Sequence, residues 1–109
     1  MIEREKFVAF VDEKTKKAFD ELNEEDPKLH KLISRAIEDL KKDPFIGIPV
    51  PKKLIPKIYI KKYGVNNLWK YNLPEAWRLL YFVVGDQVKI VSIILEWLPH
   101  KEYERRFGY

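Results

Sequence analysis

The sequence predicts an α+β domain in which a helical hairpin packs on one face of a twisted antiparallel sheet. Three observations carry this prediction: a short aromatic and β-branched segment near the start, two helical periods after it, and several strand-like runs separated by turn residues. With 109 residues, the chain is expected to form a single domain, residues 1–109, with one core. Its composition, 46% hydrophobic and 35% charged, is that of an ordered globular protein.

The first element is "KFVAFV", Lys6 to Val11, whose nearly continuous apolar character predicts a strand covered on both faces. Asp12 follows as an N-cap, and Val11, Thr15, Ala18, Phe19 and Leu22 recur at helical spacing up to about Asn23. A second helix begins where Asp26 caps and Pro27 takes the first helical position. Its Leu29, Leu32, Ile33, Ala36, Ile37 and Leu40 form an apolar stripe that ends at "KKDP", and His30 falls off that stripe as an exposed polar residue.

From Pro44 through "FIGIPVPKKLIPK" there are four prolines, Pro44, Pro49, Pro51 and Pro56, which disfavour a helix or a central strand and predict an extended loop. Ile58 to Tyr63 reads as a short edge strand. Leu68 to Leu73, Trp77 to Val84 and Val88 to Leu98 then form an antiparallel meander through the turns "PEA" and "GDQ". Strand parity places Lys70, Asn72 and Arg78 on one face and Trp69, Tyr71, Trp77 and Tyr81 on the other, provided no bulge intervenes. The segment from His100 to Phe107 is expected to be a helical turn or an irregular tail.

Charge is polarised along the chain. Residues 1–43 hold ten Lys/Arg against twelve Asp/Glu, whereas residues 44–109 hold eleven against five. Lys52, Lys53, Lys57, Lys61, Lys62 and Lys70 alternate with Phe45, Tyr59, Tyr63, Trp69 and Tyr71 and with no acid. Such a stretch suits a nucleic-acid surface, where cations meet phosphates and rings stack on bases; it equally suits a solubilised Pro-rich loop. There is no cysteine, so disulfides, thiolate zinc sites and a cysteine nucleophile are excluded. The ligand spacing of a metal site and the glycine-rich loop of a phosphate site are both missing, and neither metal nor cofactor is expected. No apolar run suits a signal peptide or a membrane span, so no membrane partner is expected and the cytoplasm is the expected compartment.

What remains is one imidazole on a basic sheet. His100 is the side chain of that half whose ordinary pKa lies near neutrality, as general acid–base catalysis requires. Metal-free RNA cleavage fits such a set: one proton leaves the ribose 2′-OH, one reaches the departing 5′-oxygen, and charge on the phosphoryl oxygens is neutralised. Arg78, which interrupts the apolar "WRLLYFVV", would clamp the phosphate, and Tyr103 would stack or transfer a proton. Tyr103 and Phe107 also have the spacing of a docking stripe, and Arg105 and Arg106 either hold phosphates or keep the chain end soluble.

The segment "LWKYNLPEAWRLLYFVVGDQVKIVSIILEW" and the ending "HKEYERRF" resemble the RelE/ParE superfamily of type II toxin–antitoxin toxins, in particular archaeal and bacterial RelE-like members. The resemblance implies a compact, microbial-RNase-like fold, a cognate antitoxin that wraps the toxin in a hetero-oligomer, and metal-independent cleavage of mRNA on the ribosome. It assigns the family's strand arginine to Arg78, the terminal His and Tyr to His100 and Tyr103, and the basic residues before the hairpin to Lys52, Lys53, Lys57, Lys61 and Lys62. Two intervening residues, Lys101 and Glu102, separate His100 from Tyr103, where several members have adjacent groups. A ParE-like gyrase inhibitor and a non-catalytic RNA-binding or interaction domain are the alternatives, because fold does not dictate reaction.

Overall fold

The computed structural model describes residues 3–108. Strand β1 (Glu5–Phe10) leads into helices α1 (Glu13–Glu25) and α2 (Pro27–Lys42). Both helices start as their caps dictate. Asp12 accepts a hydrogen bond from the Thr15 backbone N–H at 2.8 Å, and Asp26 accepts one from that of Leu29 at 3.2 Å, with Pro27 at the first turn where its missing N–H costs nothing. Leu29, Ile33, Ala36 and Leu40 line the buried side of α2.

A two-residue strand β2 (Ile48–Pro49) and a 3₁₀ turn (Lys52–Leu54) precede helix α3 (Lys57–Tyr63). Strands β3 (Trp69–Asn72), β4 (Trp77–Gly85) and β5 (Lys89–Pro99) follow, and helix α4 (His100–Phe107) completes the order. The meander β3-β4-β5 is antiparallel as expected. β1 instead lies parallel to β5, Glu5 opposite Lys89, so the five-stranded sheet β1-β5-β4-β3-β2 is mixed. The two helices between β1 and the meander supply the long crossover that a parallel pair requires.

Four further expectations are corrected. β1 is an edge strand with alternating burial rather than a strand covered on both faces: Val8 and Phe10 pack under the hairpin while Phe7 is 45% exposed. Residues 58–63 are helical, because Pro56 presets the entry and Gly64, at φ 65°, closes the end in a left-handed C-cap. Tyr59 and Tyr63, four apart, then share the inward face, a helical period that the β-rich composition masked. The chain end is a regular helix, α4, docked through Tyr103 and Phe107, whose rings lie 4.4 Å apart. His30 is not a free surface residue: its ring stacks on Phe19 at 4.4 Å.

Helices therefore cover both faces of the sheet. The hairpin side buries Leu73, Leu79, Tyr81 and Ile94 with α2; the other side buries Leu80, Phe82, Leu95 and Leu98 with Tyr59 of α3 and Tyr103 of α4. A β-bulge modifies the parity. Leu80 pairs with Glu96 but Tyr81 with Ile94, so Leu95 is the extra residue, and Leu95 and Glu96 both serve the α3–α4 face. No helix among the described residues is long and apolar enough to cross a membrane.

Candidate functional site

On the α3–α4 face, the even-numbered residues of β3 and β4 lie side by side, with Asn72 opposite Arg78 and Lys70 opposite Leu80. α4 leaves β5 directly, since Pro99 still pairs with Trp77, and its second turn sets Tyr103 under these strands. The Lys70 ammonium lies 5.2 Å and the Arg78 guanidinium carbon 5.9 Å from the centre of the Tyr103 ring. At such distances the ring's negative face attracts both cations, each contact being worth about 0.5–2 kcal/mol. Tyr103 itself is only 3% exposed, so its ring acts as a support for the two cations and does not offer a free surface to a base.

Arg78 spends one Nη–H on the Trp77 carbonyl at 3.1 Å. Among the described residues neither Lys70 nor Arg78 has a carboxylate partner within salt-bridge distance. Two uncompensated cations held on one ring make a local positive field that favours an anion. His100 opens α4 one turn before Tyr103, half exposed, with Nε2 2.5 Å from the Glu104 carboxylate on the next turn. Thus Lys70 and Arg78 meet on the buried Tyr103 ring, while His100 lies three residues before Tyr103 on the same helix and is paired with Glu104.

The remaining basic residues disperse. Lys52 and Lys53 sit exposed in the 3₁₀ turn, and Lys61 on α3 is exposed as well. Lys62 lies 5.2 Å from the Tyr63 ring, and its ammonium pKa is raised by a hydrogen bond it donates to the Tyr63 hydroxyl, by the charge of Tyr63 and by those of Asp12 and Glu96. Lys57, Arg105 and Arg106 instead line a cleft of about 410 Å³ between α3 and α4, with Pro56, Ile58 and Glu102. Arg105 pairs with Glu102 at 3.1 Å and Arg106 with Glu96 at 2.6 Å.

Sequence alone marks Tyr59 as one ring of the basic stretch and leaves Glu96 without a role. Tyr59, 2% exposed, donates its hydroxyl proton to the Glu96 carboxylate, and the Arg106 guanidinium lies over the Tyr59 ring at 5.8 Å. Burial, then the hydrogen bond to Glu96, drives the Tyr59 pKa well above the ordinary phenol range. The signal was available: Glu96 interrupts the apolar "IILEWL" just as Arg78 interrupts its own strand. No group of three or more potential metal ligands occurs among the described residues.

The family model described as "YoeB-like toxin of bacterial type II toxin-antitoxin system" matches residues 11–96. This chain belongs to that family. Toxin YoeB of Streptomyces coelicolor (strain ATCC BAA-471 / A3(2) / M145) is 34% identical over 69 residues, covering 63% of this chain and 74% of the relative. No solved structure matches. The YoeB-like family lies within the RelE/ParE-like superfamily, which is the resemblance read from the sequence, and the mixed sheet with its helices agrees with a RelE-like α+β fold. Membership makes this YoeB-like chain the toxin of a type II system and implies an antitoxin partner. The matched span contains Lys70, Arg78 and Glu96 but ends before α4, so it does not reach His100, Tyr103, Arg105 or Arg106.

Proposed function

We propose that this YoeB-like toxin is a metal-independent endoribonuclease that cleaves mRNA on the ribosome and thereby halts translation. The observation that carries the reading is the pair Lys70 and Arg78, uncompensated on the Tyr103 ring, with an imidazole one helical turn away. The 2′-oxygen attacks the adjacent phosphorus and loses its proton to a general base. The P–O5′ bond breaks, and the departing oxygen takes a proton from a general acid. His100 supplies one of these two transfers, held by Glu104. Arg78 and Lys70 neutralise the charge that grows on the non-bridging oxygens, the term that positioned donors contribute most strongly. The products are a 2′,3′-cyclic phosphate and a 5′-hydroxyl.

Residues 1–109 act in this reading as one toxin domain in the cytoplasm, where ribosomes and antitoxin meet it, and Lys52, Lys53, Lys61 and Lys62 add diffuse attraction for RNA. The test is a translation extract given the wild-type protein, His100→Ala or Arg78→Ala, with mRNA ends mapped by primer extension. Cleavage within translated codons, lost in both variants and absent on naked mRNA, is the expected result. Intact transcripts together with inhibited gyrase supercoiling would replace the reading with a gyrase-directed toxin.

A further inference from the structure

The α3–α4 cleft repeats the elements of an anion site away from the Lys70–Arg78 pair. Arg106 is not a loose surface cation: one Nη–H is committed to Glu96 at 2.6 Å, and its guanidinium rests on the buried Tyr59 ring. That leaves the rest of its planar donor set oriented while the side chain stays 32% exposed along a cleft of about 410 Å³. Lys57, exposed and without a salt-bridge partner among the described residues, stands on the opposite wall beside Pro56 and Ile58. Arg105 is the third cation, drawn toward Glu102 by an exposed pair at 3.1 Å.

A guanidinium prepositioned by a carboxylate loses less freedom on binding than a free one, and its fork matches a phosphate. Arg106 lies six residues beyond His100 on α4, an axial displacement of about 9 Å, on the order of one to two nucleotides of single-stranded RNA. We infer that the α3–α4 cleft is a second phosphate subsite, in which Arg106 and Lys57 hold a backbone phosphate of the RNA strand flanking the scissile one, with Glu96 and Tyr59 as positioning residues for Arg106. This rests on the RNA-cleavage reading. Glu102 has the opposite effect, competing with the phosphate for Arg105.

The test measures binding of a fluorescein-labelled single-stranded RNA 12-mer, 2′-O-methylated to prevent cleavage, by anisotropy across a salt series. Arg106→Gln and Lys57→Gln are each expected to weaken binding about 3- to 10-fold and to reduce the slope of log K against log salt by about 0.7, one phosphate contact for a single strand. Glu96→Gln is expected to weaken binding with the slope retained. Glu102→Gln is expected to tighten it about 2- to 5-fold, which no loss of folding imitates. Lys31→Gln, on the exposed side of α2, serves as the control without effect. Wild-type affinity and slope in both Arg106→Gln and Lys57→Gln would overturn the subsite; because Lys57 is exposed, that variant stays informative even where Arg106→Gln fails to fold. Retained mRNA cleavage by the wild type alongside unchanged slopes removes the subsite alone. Reduced slopes with no cleavage by the wild type on ribosomes remove the nuclease reading and leave the cleft as an RNA contact.

Discussion

Arg78 of β4 and Tyr103 of α4 meet face to cation, the guanidinium carbon 5.9 Å from the ring centre, and the ring is buried beneath the strand. This contact makes the position of the candidate phosphate clamp depend on the docking of the last helix. Tyr103→Phe keeps the ring face and is expected to retain cleavage within about threefold. Tyr103→Leu removes about 0.5–2 kcal/mol of cation–π attraction, so a loss of roughly 2- to 30-fold in single-turnover rate is expected. Equal loss in both variants would instead assign the hydroxyl a proton-transfer role.

The loop that carries the basic stretch is tied down by Tyr81. Its hydroxyl donates to the Pro44 carbonyl at 2.8 Å and accepts from the Gly47 N–H at 3.1 Å. A Cβ at Gly47 would stand 2.7 Å from that hydroxyl and 2.8 Å from the Lys70 carbonyl oxygen, so glycine is required by close approach. Gly47→Ala is expected to cost about 1–3 kcal/mol, and Tyr81→Phe about 1–3 kcal/mol through the unsatisfied buried partners. Urea denaturation measures both. A Gly47→Ala midpoint equal to wild type would show that the loop yields at no cost.

Alkaline pH should destabilise the protein through Tyr71 and Tyr81, together with Tyr59, whose phenol is also held above its ordinary range. Tyr71 is pushed up from 10.0 to about 12, first by burial and then by its hydrogen bond to Asp39 at 2.5 Å. Tyr81 is likewise pushed up to about 12, first by burial, although the bond from Gly47 opposes the rise. Below the ordinary phenol pKa of 10.0, both states hold their protons and the contribution is complete. Between 10.0 and about 12 the unfolded chain loses protons that the folded one retains, so stability falls as pH rises. Stability measured across this window should fall less steeply in the Tyr71→Phe/Tyr81→Phe double variant, Tyr59 supplying the slope that remains; an unchanged slope would place the titration elsewhere.

Ser92 on β5 is fully buried, and its hydroxyl has no hydrogen-bond partner among the described residues. Burying an unpaired hydroxyl costs about 1–3 kcal/mol. Ser92→Ala is therefore expected to be neutral or stabilising by up to about 1 kcal/mol, read as a raised urea midpoint. A clear destabilisation would reveal a hydrogen bond that the hydroxyl makes.

The β3–β4 turn holds Glu75 at φ 62° and Ala76 at φ 64°, two consecutive non-glycine residues in the left-handed region. Such residues cost on the order of 1 kcal/mol each, offset in part when glycine loosens the unfolded chain. Ala76→Gly is expected to stabilise by up to about 1 kcal/mol, visible as a rise in Tm. Lys28, 2.6 Å from Glu75, helps hold the turn against α2, though both side chains are exposed and the pair is worth little. Slower thermal unfolding with no change in cleavage would separate this turn from the chemistry at Arg78.

Part of the candidate site was legible in advance. Arg78 could be singled out because a charge inside an apolar strand needs a destination, and parity placed Lys70 and Asn72 beside it. Glu96 carried the same signal but was not followed, since the bulge at Leu95 that turns it toward α3 has no mark in a run of apolar residues. The division of the basic residues was also illegible. Lys57 and Arg106 are far apart in sequence, and only the packing of α3 and α4 on one face of the sheet makes them neighbours.

By itself the sequence determined the local structure. Asp12 and Asp26 cap helices through bonds to residues three positions on, the α2 stripe repeats within a few turns, and the meander turns lie between adjacent strands. These features depend on hydrogen bonds and periods confined to neighbouring residues, so composition and spacing suffice. Only the tertiary structure decided that β1 runs parallel to β5 at the sheet edge, that residues 57–63 are helical against Leu80 and Leu95, and that Tyr103 gathers Lys70 and Arg78. Each joins residues distant in the chain, where burial of shared apolar surface outweighs local propensity.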